Sequence, residues 1–402
     1  MMNTLRRRHG PLASALLATM AYACAGLHAQ DTTEVVILGV SHSAMLLAES
    51  YQPAVFRAYM DRVDADAICI ERSPEEFARG SHYEFTYEIQ DIAVPYARER
   101  SIELCPFDWL PPDEDQALAF GISLEEPSFV RGPQTWMNFV TFGDSTELEL
   151  DLFYAESPAE RERHRTWYLN MTERPRQDYP RRLFLYRTFM QAMRIARAAE
   201  AHPGGRVLVL VGSFHKDDLE RILADQPRVR IVPPTRFGAP TADEIAAHVR
   251  LDDLAAIATF NLLGAQSRTG NIDRAWLERV VERLERERPG PESRLLRTRL
   301  DVLVNGLEPR AGADRYREIR ESADAAVRFT WNGVLDRRRI DSFADPFGNL
   351  TVRQRAALEE ARESLRAGDT ARAETVRSEL ESTLPPLGLA QLRAYWSEWV
   401  DR

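Results

Sequence analysis

Five short apolar runs constrain this chain more than any other feature: VVILG from Val35, AICIE from Ala67, SIELC from Ser101, RVLVLVG from Arg206 and VRIVPP from Val229. Runs this short, rich in Val and Ile and without polar alternation, suit parallel strands covered on both faces. Helical patterns lie between them: a segment around Ala54 to Val63, then YEFTYEIQDIAVPYARERS with a kink expected at Pro95, then RRLFLYRTFMQAMRIARAAEA. Strands separated by helices need right-handed crossovers, which make a parallel sheet. The expected fold is therefore α/β, with a mainly parallel sheet flanked by helices over residues 30–240.

The rhythm breaks between about 110 and 180, where Pro, Trp, Tyr and acidic residues accumulate over a stretch too long for a plain loop. That stretch is expected to be an inserted, lid-like segment facing substrate. Beyond 241 the pattern becomes helical to the end at 402, as in ADEIAAHVRLDDLAAIATFNLL, RAWLERVVERLERE and VRQRAALEEARESLRAG. This all-helical C-terminal region carries no compelling catalytic cluster and reads as a packing or interaction region, through which a protein partner could bind.

The opening residues read as a leader. MMNTLRRRHG is basic, PLASALLATMAYACAGL is small and apolar, and cleavage is expected after Ala29 or after Ala25. The apolar run is short of a bilayer span, so membrane contact is expected only through this signal peptide before its removal. An exported protein, periplasmic or secreted, follows as the expectation. The formal net charge is −10, and removal of Arg6, Arg7 and Arg8 with the leader takes it to about −13. An acidic chain gives no reason to expect a nucleic-acid partner. Export leaves two cysteines, Cys69 and Cys105, expected as buried thiols although an oxidising compartment also permits a disulfide. Lys216 is the only lysine.

Two of the apolar runs end alike, in Gly39-Val40-Ser41-His42 and in Gly212-Ser213-Phe214-His215. In an open parallel sheet, ligands gather beyond the carboxyl ends of the strands. His42, Glu71, Asp108 and His215 all fall there, and Glu88 could face the same crevice. Imidazoles with carboxylates make a reasonable shell for a divalent metal such as Mn, Co, Fe or Zn. Each residue also has a plainer reading: Asp108 as a turn or cap, Arg187 as a solvated helix residue. The chain carries no His-Glu-x-x-His helix, no Gly-x-Ser-x-Gly elbow and no Walker-type phosphate loop.

The pairing of ILGVSH with LVGSFH resembles the two GX2H motifs of TraB/GumN-type proteins of the Tiki superfamily, which is related more distantly to the erythromycin esterase and haem-binding ChaN groups. Glu71 in ICIERS matches the Glu that the family places after its second strand. The run from Glu88 through Ala93 to Asp108 looks like the family's E-x-x-x-A helix and acid-ending strand, shifted by one at the alanine. Trp109 stands where an arginine is often found. Arg187 in LYRTFM is similar to the family's Arg-Asn-x-x-Met, with Thr188 in place of Asn. The resemblance covers residues 34–234 without the insertion.

It implies a metal-dependent hydrolase acting on a peptide or a small-molecule ester. His42, His215, Glu71 and Asp108 are then the expected metal ligands, and Glu71, Glu88 and Arg187 the expected catalytic groups, Arg187 as an oxyanion stabiliser. Two other expectations stand beside it. One is a non-catalytic haem- or metal-binding protein of the same fold; the other is a helical interaction protein on a degenerate α/β scaffold.

Overall fold

The computed structural model describes residues 32–120, 140–170 and 178–400. The leader over 1–29 and parts of the 110–180 insertion lie outside the described residues. The five apolar runs all form strands: β1 Thr33–Val40, β2 Ala67–Ile70, β3 Glu103–Pro106, β4 Arg206–Gly212 and β5 Val229–Val232. They make one parallel sheet in the order β3-β2-β4-β1-β5. The two runs that end in Gly-x-x-His are thus neighbours at its centre, with Gly39 beside Val211 and Val40 beside Gly212. Their carboxyl ends are level, and β2 flanks β4 with Glu71 one residue past its end.

The helices of seven residues or more are α1 Pro53–Val63, α2 Val94–Arg100, α3 Asp113–Phe120, α4 Pro158–Asn170, α5 Tyr179–Ala201 and α6 Ser213–Ala224, followed by a helical series. That series comprises α7 Leu251–Leu262, α8 Arg274–Glu287, α9 Pro291–Leu303, α10 Pro309–Ser322, α11 Val352–Arg366, α12 Thr370–Ser382 and α13 Pro386–Trp399. Alternate residues of a strand point to opposite faces, and both faces here are apolar. Val35, Ile37, Val207 and Val209 pack against Ile195 and Ala199 of α5 and Leu219 and Leu223 of α6. Val36, Leu38, Leu208 and Leu210 face the other way, onto Phe56 and Tyr59 of α1. That second core runs on without interruption into Leu254 of α7, Leu296 of α9 and Ala356 of α11. The helical region is therefore packed against the α/β part through shared apolar surface.

Two details of the helices differ from expectation. The helical pattern after Thr241 breaks at His248–Arg250, so that Ala242–Ala247 and α7 are separate helices. The segment before Pro95 is wound as a π-helix over Glu88–Ala93 instead of continuing α2 backwards. Where described, the inserted segment packs on the sheet end: Lys216 donates to the Ile37 carbonyl at 2.7 Å and forms an ion pair with Glu156 of the insertion at 2.9 Å. Gln266 likewise holds Phe142 through both backbone groups, at 2.7 and 3.0 Å.

Cys69 and Cys105 are joined in a disulfide, which corrects the expectation of buried thiols. The register places them directly opposite on β2 and β3, with Cα atoms 4.4 Å apart, so the parallel pairing itself brings the two sulfurs together. The bond ties the edge strand β3, whose Pro106 offers no N–H, to the interior of the sheet. Replacing both cysteines by serine should lower stability by about 3 kcal/mol. Urea denaturation of the oxidised protein against the double variant measures it, and equal stability would remove this role.

Candidate functional site

The strand ends converge as the sequence expects. His42 opens a short 3-10 turn two residues beyond β1, and His215 sits in the first turn of α6 just beyond β4. Glu71 and Asp108 follow β2 and β3. Arg187 reaches in from α5, donating Nε to Asp108 Oδ1 at 2.9 Å and one terminal nitrogen to Asp108 Oδ2 at 2.8 Å and Glu71 Oε1 at 3.1 Å. Glu71 Oε2 accepts from the Gly212 N–H at 2.6 Å. Glu88 Oε1 accepts from His42 Nδ1 at 2.8 Å. His215 Nε2 stands 3.6 Å from Glu71 Oε1. Arg187, Asp108, Glu71 and His215 form one linked group, the His42–Glu88 pair lies beside it at Gly212, and all six but Arg187 are buried.

The glycines of the two motifs are explained by close approach. A Cβ on Gly212 would lie 3.0 Å from His42 Nε2 and 3.3 Å from Glu71 Oε2. One on Gly39 would meet Ala155 at 2.8 Å and the Lys216 stem at 3.0 Å. Any side chain at Gly212 would push the imidazole of one motif away from the strand end of the other.

The two histidines are held alike but are electrically different. Thr188 gives its hydroxyl proton to the Phe184 carbonyl at 3.0 Å, so at 2.7 Å it accepts from the Nδ1–H of His215. That fixes the Nδ1-protonated tautomer and leaves Nε2 of His215 as an acceptor turned toward Glu71. Phe184 also stacks flat on this ring, 4.2 Å between centroids at 3°. Burial, with the nearby Arg187 and His42, holds the pKa of His215 well below the ordinary value, so this ring stays neutral. Burial also disfavours a charged His42, but the adjacent Glu88 carboxylate and Glu71 outweigh it and raise its pKa. Burial raises the pKa of Glu71 as well, against the pull of Arg187.

Several contributors escaped the sequence reading: Tyr83, which donates to Asp108 at 3.2 Å, Gln191, which donates to it at 2.8 Å, and the supporting hydroxyl of Thr188. Phe184, Arg187, Thr188 and Gln191 share one face of α5 at helical spacing, which was the available signal for Thr188 and Gln191. Tyr83 lies in irregular chain and gave none.

His42, His215 and Glu71 are of the residue types that bind divalent ions. Both imidazoles have Nδ1 engaged by a neighbour, the arrangement by which outer partners orient metal-binding histidines, and Nε2 of His215 stands 3.6 Å from Glu71 Oε1. The two oxygens of Asp108 accept from Arg187, Gln191, Tyr83 and the Trp109 N–H, so it anchors Arg187, while those of Glu71 accept from Arg187 and the Gly212 N–H alone. Among the described residues, no group of three or more His, Cys, Asp or Glu side chains is placed so that it could hold a metal ion. Comparison with family models, curated proteins and solved structures finds no match for this chain.

Asp108 carries an immediate expectation. Asp108→Ala leaves a largely buried guanidinium with one carboxylate and should cost about 3 kcal/mol of stability. Thermal or urea unfolding checks this; a cost within about 0.5 kcal/mol, ordinary for a surface change, would mean the pair does not hold α5 to the sheet.

Proposed function

We propose that the crevice hydrolyses a peptide or ester bond, with a divalent metal ion held by His42 and His215 and with Glu71 beside them as general base. The observation that supports it most is the pair of histidines at neighbouring strand ends, each held at Nδ1, with Nε2 of His215 3.6 Å from Glu71. When bound, such an ion supplies Lewis acidity and an acidified water. The chain supplies the rest. Glu88 and Thr188 fix the two rings. Glu71, its pKa raised by burial, is suited to take a proton from the attacking water and return it to the leaving group. Arg187 places a positive charge where an oxyanion develops, and Asp108 keeps it there. Phe85, edge-on to His42 at 5.2 Å, and Phe184 limit water around the imidazoles. The disulfide supports the exported setting, because such bonds persist in oxidising compartments.

A second reading is favoured by the His42–Glu88 pair: hydrolysis in which His42, held by Glu88, is itself the general base. Screening the protein against peptide and ester substrates before and after exhaustive chelation separates the two. Under the metal reading, activity falls on chelation and returns with Mn, Co, Fe or Zn; under the second it survives. In both, His42→Ala should cost at least about 100-fold. Hydrolysis untouched by His42→Ala would sink both.

The pH dependence has a definite sign. Either reading needs unprotonated His42, and Glu88 raises the pKa of that ring. Activity should therefore fall as the pH drops through a value above that of an ordinary histidine. In Glu88→Gln this acid limb should move to lower pH, measured as the rate-pH profile; a shift to higher pH would contradict the assignment.

A further inference from the structure

Glu88 is presented to His42 from the π-helix Glu88–Ala93, which Val94 closes by donating its N–H to the Ile89 carbonyl five residues back. Single π turns inside helices are rare and collect at functional sites. The sequence supplies part of the cause. Pro95 has no N–H, so the Asp91 carbonyl four residues earlier lacks the donor an ordinary α-helix would give it. Arg57 of α1 bonds that carbonyl instead, at 3.0 Å.

Arg57 is itself buried and is held by Asp253 of α7, through both carboxylate oxygens. Asp253 Oδ1 also accepts from the hydroxyl of Tyr87 at 2.8 Å, and Tyr87 immediately precedes the π turn. Trp331, from the irregular stretch 323–351, packs edge-on against Tyr87 at 5.8 Å. Further back, Glu84 accepts from the backbone N–H groups of Leu335 and Phe343 at 3.3 and 3.0 Å. The helical region thus grips the chain on both sides of Glu88.

We infer that Asp253 is a positioning residue for the crevice: through Arg57 and Tyr87 it holds the π turn that sets Glu88 against His42. A π turn contains one residue more than an α turn. If it relaxed, Glu88 would rotate relative to the helix beyond by about 100°, the turn per residue of an α-helix. A buried guanidinium keeps one geometry only while its carboxylate is present, so the Asp91 bond depends on Asp253. On this account the C-terminal region buttresses the site, whichever reaction the crevice performs.

The test reads the Glu88–His42 hydrogen bond directly, in full-length, metal-free protein. An imidazole N–H bonded to a buried carboxylate gives a downfield, slowly exchanging proton signal, assigned to His42 by its loss in His42→Ala. Asp253→Asn should abolish that signal. The matched control is Asp345→Asn, which weakens another buried pair of the helical region, Arg355 with Asp345 at 2.7 Å, bonded to α11 and not to the π turn. The control should lose stability but keep the signal. A signal retained in Asp253→Asn, or lost equally in both variants, would overturn the inference. If Asp253→Asn does not fold, Tyr87→Phe removes one of the two ties alone: faster exchange of the His42 proton supports the proposal, and unchanged exchange refutes it.

Discussion

Arg187 lies between the ends of β2 and β3, with one carboxylate on each side. Glu71 and Asp108 are buried acids, and two such groups side by side are costly without a cation to offset them. The guanidinium meets that need with a bidentate grip on Asp108 and a single bond to Glu71, and those two charges in turn raise its own pKa against the effect of burial. One consequence is mechanical. Arg187 pins α5 to the sheet, which sets Phe184 and Thr188 against His215. The tautomer of that histidine, and the direction in which its Nε2 points, therefore depend on an ion pair that does not include it.

The second constraint is space. With β1 and β4 adjacent and in register, their two motifs end side by side, and Gly212 leaves room for the His42 ring over the end of β4. The glycines act through close approach, and neither needs a left-handed backbone. Gly212 also lends its N–H to Glu71, so one residue both admits the imidazole and orients the carboxylate beside it.

The sheet was legible because each of its strands is a short apolar run bounded by turns, and burial on both faces allows little else. The convergence of His42, Glu71, Asp108 and His215 was legible for a related reason: strand ends in a parallel sheet open on one side. Roles within the cluster were less so. Asp108 as ligand and Asp108 as anchor require the same carboxylate at the same strand end, and only the reach of Arg187 from α5 separates them. The disulfide depended on register, since a shift of β3 by one residue would have turned Cys105 to the other face. The π turn before Pro95 was the least accessible, because its cause lies partly in Arg57 and Asp253, far away in sequence.

Two neighbouring imidazoles in one crevice should not behave alike if this account holds. A histidine nitrogen–proton correlation spectrum of the metal-free protein, from about pH 5 to about pH 8, reads both rings at once. The account predicts that His215 remains neutral and protonated on Nδ1 throughout, while His42 takes up its proton at a pH above that of an ordinary histidine. Two rings titrating together near the unperturbed value of about 6.5 would contradict it, because they would then be separate and solvated instead of built into one site.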